Sequence, residues 1–293
     1  MYGEKHARRK KEEKKGGKTE QTGKLPTKEQ NFSTIRNIQG ERCEKVAARG
    51  KIWYNGDMER NEAEKLLTSG KTGEKFGLFY DLLLFYNEKF NLTRITDREE
   101  CYKKHFFDSL TGETYFPYGA RCAEVGSGAG FPSLPLLIVR EDLQFDLFES
   151  SHKKCGFLCE VVDKLGLHAQ VHPLRAEDAG RDPAFRERFG ICTARAVARL
   201  ATLAEYCAPF VKEGGAFVAY KGRAEEEIAE SKGAFDLLGL RLRLAEKLFL
   251  RGEEDERTLV VADKVKCTPA AFPRGRGKER SDPLGVPKEK KKC

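Results

Sequence analysis

Residues 123–132 read Ala-Glu-Val-Gly-Ser-Gly-Ala-Gly-Phe-Pro. Glycine recurs at every second position, Gly126, Gly128 and Gly130, with Glu124 two residues ahead of the first and Ser127 between the first two. An apolar run, Leu136 to Val139, follows closely. In that order, an acid, a tight glycine turn and an apolar run describe a strand, a loop and the start of a helix. The glycines admit positive φ and let a ligand come close to bare amide groups. A dinucleotide loop needs Gly-x-Gly-x-x-Gly/Ala, and Phe131 at the last position is too bulky for that. The alternating glycines suit S-adenosylmethionine instead, with the loop against its amino-acid end and Glu124 near its ammonium. The plainer alternative is a structural turn that binds nothing.

Chemistry at such a loop needs partners from other strand ends, because ligands of open α/β sheets bind beyond the carboxyl ends of the strands. Glu149 closes the apolar run Phe145 to Phe148, 23 residues past Gly126. An acid at that distance can accept hydrogen bonds from ribose hydroxyls, or it can be a surface Glu favoured at a helix start. Arg175-Ala176-Glu177-Asp178 follows the third strand, where an adenine edge would be read; the alternative is a plain helix start. Arg195 directly follows an apolar strand. Burying it unpaired is costly, so it should face the cleft or pair with a carboxylate. Lys221-Gly222 puts another cation at the end of the fifth strand.

Two motifs are missing from the sequence. It has no Asn/Asp-Pro-Pro-Tyr, which methylation of an adenine amino group would want, and no Pro-Cys nucleophile for C5 methylation. A site without base or nucleophile fits an acceptor that is already nucleophilic, such as N7 of guanine. It then needs only proximity, orientation and exclusion of water.

The elements that must position these residues are legible as a change of period. Phe76, Leu78, Phe79, Leu82, Leu83, Phe85, Tyr86 and Phe90 recur at helical intervals. Asn91-Leu92-Thr93 breaks that helix, and Asp97 can cap a second one containing His105 and Leu110. β-rich runs then fall at 121–125, 144–148, 169–172, 190–194, 214–220, 243–249 and 257–262. Helical patterns fill the gaps near 131–140, 152–165, 199–211 and 223–238. The alternation predicts an open α/β sheet with helices on both faces. The last two strands have only the short charged connector Arg251 to Glu256 between them, so they pair antiparallel. The chain divides into a basic, largely disordered extension over 1–72, a helical segment over 73–118, the main domain over 119–265 and a basic C-terminal segment over 266–293.

Charge is concentrated at the ends. Residues 1–30 carry ten Lys and Arg against five Asp and Glu, and residues 264–293 carry ten against three. The whole chain is at +8, so the body between is mildly acidic. Basic ends of this kind touch phosphate without reading sequence. Nine cysteines occur without a Cys-x-x-Cys pair, and no metal-ligand spacing is present. Cys155 and Cys159 sit four apart on a predicted helix, as small buried apolar residues. The polar N-terminus has no secretory h-region, and no apolar run has membrane-spanning length. The expectation is a cytoplasmic monomer with reduced thiols.

Taken together, these residues resemble the bacterial 16S ribosomal RNA guanine-N7 methyltransferase family called RsmG, or GidB. The resemblance runs from about Leu83 to Val261. It is carried by Phe90-Asn91-Leu92-Thr93, His105-Phe106-Phe107-Asp108-Ser109-Leu110, the loop from Glu124 to Pro132, and Glu149-Ser150-x-x-Lys153-Lys154. Arg175-Ala176-Glu177, Arg195-Ala196, Lys221-Gly222 and Glu256-Arg257-x-Leu259-Val260-Val261 continue it. Thr268-Pro269 and Phe272-Pro273-Arg274 look like the family's basic C-terminal signature. The resemblance implies a Rossmann-like methyltransferase fold with an antiparallel last strand and a small N-terminal helical addition. It implies that Gly126, Phe131, Ala176, Glu177 and Arg195 contact S-adenosylmethionine, with Glu149 at the ribose. His105, Asp108, Lys221 and Arg257 would surround the cleft mouth without a general base among them. The partner would be 16S ribosomal RNA or a small-subunit particle. The chain departs from the family pattern where Glu124 and Glu149 stand for Asp, Ser133 for glycine, Lys104 for arginine and Ala194 for serine. The rival readings are an RNA-binding protein with weak or no catalysis, and a methyltransferase acting on a small molecule or protein.

Overall fold

The computed structural model of the chain describes residues 65–250 and 256–285. The N-terminal extension up to residue 64 lies outside the described residues, as do Arg251 to Asp255 of the connector and residues 286–293.

Helix α1, Gly70–Asn87, buries Phe76, Phe79, Tyr80, Leu82 and Leu83. Leu78 and Phe85, expected on the same face, are 39% and 51% exposed and lie off it. The chain reverses after α1 because Oδ1 of Asn87 accepts the amides of Leu92 and Thr93 at 2.8 and 3.0 Å. Asp97 then caps α2, Arg98–Cys101, by accepting the Glu100 amide at 2.9 Å. Such a cap satisfies one of the amides a helix start leaves orphaned. The helical path continues as a π-helical turn, Tyr102–Phe107, and closes with α3, Asp108–Leu110.

The sheet contains β1 (Arg121–Val125), β2 (Gln144–Phe148), β3 (Ala169–His172), β4 (Phe189–Arg195), β5 (Val211–Lys221), β6 (Leu240–Phe249) and β7 (Glu256–Lys264). Its order is β3-β2-β1-β4-β5-β7-β6. Strands β1 to β5 pair in parallel, and β7 lies antiparallel between β5 and β6. Strands β1, β2, β4 and the inner half of β5 are buried on both faces and read as continuous apolar runs, whereas β3 and most of β6 are half-buried or exposed.

The helices between strands are α4 (Ser133–Val139), α5 (His152–Leu165), α6 (Ala176–Ala179), α7 (Leu200–Cys207), α8 (Glu225–Glu230) and α9 (Lys232–Leu238), with α10 (Lys278–Ser281) near the end. One core layer joins α1, the π turn, α4 and α5 to the sheet, and the other joins α6, α7 and α9. In helix α5, Cys155 is buried but Cys159 is exposed, because the core-facing stripe runs through Phe157, Leu158, Val161 and Val162.

The N-terminal helices share their core with the sheet. Phe106 packs 5.1 Å from Phe76, 5.2 Å from Phe79 and 6.0 Å from Phe131, ring centre to ring centre. Each such aromatic pair adds about 0.5–1.5 kcal/mol beyond its buried area. Phe131 belongs to the glycine loop, so this aromatic cluster registers the loop against the helical addition. Tyr220 of β5 reinforces the contact by donating to the Ser109 carbonyl at 2.8 Å. Strand order reverses between β1 and β4, so the ligand crevice of this architecture opens beyond Val125 and Arg195.

Candidate functional site

The glycine loop leaves β1 with Gly126, Gly128 and Gly130 at φ of 68°, 56° and 82°. These are left-handed values that favour glycine. The three positions differ in what surrounds them. A Cβ on Gly130 would stand 2.2 Å from Leu134 Cδ1, so that glycine exists for packing. A Cβ on Gly126 would meet Val197 Cγ2 at 2.8 Å. A Cβ on Gly128 would meet nothing closer than the Gly126 carbonyl at 3.7 Å, so Gly128 faces open space.

The loop's amides are not bare, contrary to the expectation from its glycines. The Phe148 carbonyl accepts those of Gly126 and Ser127 at 2.8 and 3.2 Å, and the Ser127 carbonyl accepts that of Gly130 at 2.6 Å. Glu149 Oε2 accepts that of Gly128 at 3.0 Å. The loop therefore offers a shape more than a set of free donors.

Glu149 is buried, and its other oxygen accepts the Ser151 amide at 2.8 Å, just ahead of α5. It thus serves both as the acid at a helix start and as a brace for the glycine loop. A carboxylate has about four acceptor sites, so two amide bonds leave room for ribose hydroxyls.

Glu124 is fully buried beneath the loop. Its Oε2 accepts the Ser133 hydroxyl at 2.5 Å, and its Oε1 has no hydrogen-bond partner. Burial pushes its carboxyl up to about 7, against the pull of the Ser133 hydrogen bond. Two of the positions where the resemblance implies a different residue, 124 and 133, meet in this contact. The longer arm of Glu124 reaches a hydroxyl that a glycine at 133 could not supply. Ser127, also buried, donates to the Glu124 carbonyl at 3.3 Å.

Strand alternation sends Arg195 to the same side of the sheet as Glu124, toward the N-terminal helices. Its Nη1 pairs with Asp108 Oδ2 at 2.9 Å and donates to the Lys104 carbonyl at 3.2 Å. Its Nη2 lies 3.2 Å from His105 Nδ1, and its guanidinium carbon sits 4.8 Å from the centre of the Phe131 ring. Of the two placements open from sequence, pairing with a carboxylate is the one observed.

Asp108 is itself buried and is shared with Arg257, whose Nε lies 3.4 Å from Oδ1. Burial raises the Asp108 carboxyl above its ordinary value, and the two guanidiniums pull against that. His105 stacks on Phe131 at 4.6 Å, and its Nε2 lies 2.8 Å from Thr93 Oγ1. Nδ1 also lies 3.1 Å from the Lys104 carbonyl, so it faces a donor, the Arg195 guanidinium, and an acceptor at once. Burial first, and then the Arg195 charge, lower the His105 pKa to about 3. The imidazole is neutral, with both nitrogens engaged.

His105, Asp108, Phe131, Arg195 and Arg257 are thus brought together. Lys221 is not among them. It pairs with Glu227 of α8 at 2.8 Å and donates to the Ala198 carbonyl at 2.9 Å. Ala176 and Glu177 open α6 beyond β3, where Glu177 lies 3.8 Å from Arg175. Two features escaped the reading of the sequence: Val197 against Gly126, and Ala196 at a φ of 57°. Nothing local in an Ala-Val pair announces either.

The basic C-terminal segment is docked over its described length. Arg274 forms a bidentate pair with the fully buried Glu205, at 2.9 and 2.8 Å. Lys264, 1% exposed, donates to the carbonyls of Ala208 and Val211 and to Thr268 Oγ1. These two cations hold structure and are not free to meet phosphate.

A model of the family described as rRNA small subunit methyltransferase G, GidB, matches residues 72–256. The chain belongs to this family. The Ribosomal RNA small subunit methyltransferase G of Lactobacillus johnsonii is 46% identical over 234 residues, covering 78% of this chain and 94% of that one. Its counterpart in Lactobacillus delbrueckii subsp. bulgaricus is 45% identical over 218 residues, covering 72% and 91%. That of Exiguobacterium sibiricum is 45% identical over 216 residues, again covering 72% and 91%. Membership in the GidB family makes the chain an S-adenosylmethionine-dependent methyltransferase of small-subunit ribosomal RNA.

Proposed function

We propose that the chain methylates N7 of a guanine in 16S ribosomal RNA. The observation that carries this reading is that, among the described residues, the titratable side chains grouped around Phe131 and under the loop are engaged or sealed, beside the loop of a ribosomal RNA methyltransferase. His105 is neutral with both nitrogens engaged, Asp108 is shared between two arginines, and Glu124 is sealed under the loop. Such a site suits an acceptor whose lone pair needs no deprotonation, and guanine N7 is one.

The residues fit the cofactor. The open face of Gly128 is a cradle that a side chain would fill, and the unpartnered Oε1 of Glu124 lies in the carboxylate behind the loop. Gly126, Ser127, Gly128 and Gly130 shape the amino-acid end of the cleft, with Phe131 anchoring the loop to the helices. Glu149 holds the ribose, and Ala176 and Glu177 border the adenine. Bound S-adenosylmethionine supplies a methyl group activated on a sulfonium sulfur. Arg195 and Asp108 act on the cleft through structure, by fixing the π turn and the ring of His105 over Phe131. Arg257, a quarter exposed, is the member of this group open to RNA.

The division of the chain at 72, 118 and 265, action as a monomer and a cytoplasmic location belong to the same proposal. The test is to map N7-methylguanine in 16S ribosomal RNA from cells with and without the gene. Loss of one such guanine in the deletion, restored by the intact gene, supports the reading. An unchanged map refutes it.

A further inference from the structure

The segment from Ala196 to Arg199 joins β4 to α7 and crosses the glycine loop. Ala196 adopts a left-handed backbone at φ 57°, which is strained for any residue with a Cβ. Val197 follows it, with Cγ2 2.8 Å from where a Cβ on Gly126 would stand. A strained segment persists only where its surroundings over-determine it, and here the restraints come from outside. Lys221 Nζ donates to the Ala198 carbonyl at 2.9 Å and pairs with Glu227 Oε2 at 2.8 Å. The same Oε2 accepts the Leu200 amide at 2.7 Å, closing a ring from β5 through α8 back to the segment. Arg199 pairs with Glu230, also of α8, at 2.5 Å. Arg280, in the docked C-terminal segment, donates to the Val197 carbonyl at 3.3 Å.

The Lys221 side chain is only 11% exposed, and two of its three donors are committed to this ring. That is a poor disposition for a lysine meant to meet substrate. We propose that Lys221 is a positioning residue for the cofactor site. Through the Ala198 carbonyl and Glu227 it fixes the 196–200 segment, and so presses Val197 against Gly126 as a wall of the cleft. This role rests on the proposed S-adenosylmethionine site. The competing role, a phosphate contact at the cleft mouth, makes different predictions.

The test uses the full chain and four measurements: S-adenosylmethionine affinity by calorimetry, thermal stability, hydrogen exchange of the Leu200 amide without cofactor, and RNA affinity across a salt series. K221M should weaken cofactor binding by about tenfold or more, since it removes a charge-assisted pair and a hydrogen bond to a carbonyl together. It should speed exchange at Leu200 and leave the salt slope of RNA binding unchanged. K221R, which can still donate to Ala198 and pair with Glu227, should restore most of the affinity. V197A should reproduce the weakened binding with Leu200 still protected, and it decides the matter if K221M does not fold. Unchanged cofactor affinity in K221M, or in V197A, overturns the proposal. A salt slope reduced by about 0.7–0.9 with cofactor affinity intact assigns Lys221 to phosphate instead. Failure of the wild-type chain to bind S-adenosylmethionine overturns the cofactor reading itself.

Discussion

Replacing Arg195 with alanine tests how the N-terminal helices are joined to the site. The substitution removes the 2.9 Å pair with Asp108, the bonds to the Lys104 carbonyl and His105, and the cation over Phe131. The side chains of Arg195 and Asp108 are 13% and 6% exposed, so the carboxylate left behind is poorly solvated. Breaking a buried pair from one side costs about 3–5 kcal/mol, because the other charge is left behind. Asp108 keeps Arg257 at 3.4 Å, which places the expected loss near the lower end, about 3 kcal/mol. For a domain of this size each kcal/mol moves Tm by roughly 2–4 °C, so R195A should melt roughly 6–12 °C below wild type. Thermal and urea unfolding measure this, beside cofactor binding in the folded fraction. The double variant R195M/D108L should be more stable than R195A alone, since it removes the buried carboxylate and leaves only Arg257, a quarter exposed, without that partner. An R195A protein that melts within about 2 °C of wild type, yet no longer binds cofactor, would overturn this structural role and put the guanidinium in the cleft.

Gly128→Val should abolish S-adenosylmethionine binding while the protein stays folded, because the side chain has room at 128 and costs only the backbone strain of Val at a φ of 56°. Gly130→Ala should instead lower Tm, because its Cβ meets Leu134 at 2.2 Å; calorimetry and melts separate the two. Glu124, pushed up from 4.5 to about 7, contributes stability that is full below pH 4.5 and is lost as pH rises to about 7. The loss is about 3 kcal/mol; Glu124→Gln should flatten unfolding free energy over that window, and an unchanged pH profile would count against a neutral buried acid. Deleting residues 1–60, whose first thirty carry ten Lys and Arg against five acids, should weaken RNA binding and flatten its salt slope by about 0.7–0.9 for each phosphate no longer neutralised. Cofactor affinity should not change, and an identical slope would make that segment a passive extension.

The sheet was legible where burial on both faces writes itself as an apolar run. Strands β1 and β2 fall on the predicted residues for that reason; β3 does so too, although it is half-buried and not a continuous apolar run. Strand β5 begins three residues earlier than its pattern, because the exposed Lys212 and Glu213 separate the buried Val211 from the apolar run. The helix expected over 223–238 is two, α8 and α9, meeting at Ser231. The π turn at Tyr102–Phe107 has the apolar spacing of an ordinary helix, so nothing in the sequence marks it.

Within the site, Glu124, the glycines and Glu149 were legible because they are close in sequence. The grouping of Asp108 with Arg195 spans 87 positions, and spacing carries no information over that distance. Lys264 and Arg274 counted as surface charge in the composition, whereas their carbonyl and carboxylate partners exist only in the fold. The same holds for Lys221. A cation at a strand end reads as a ligand contact until Ala198 and Glu227 are seen to hold it.

Methyl transfer between purified components tests the proposed reaction itself. Wild-type protein is incubated with methyl-labelled S-adenosylmethionine and 16S ribosomal RNA lacking the modification, offered both free and in small-subunit particles. Nucleosides from the digested RNA are then separated. Label is expected in N7-methylguanine at a single site, with none from the Gly128→Val protein. Absence of label in both substrates, or label on any other atom, would contradict guanine-N7 methylation by this chain.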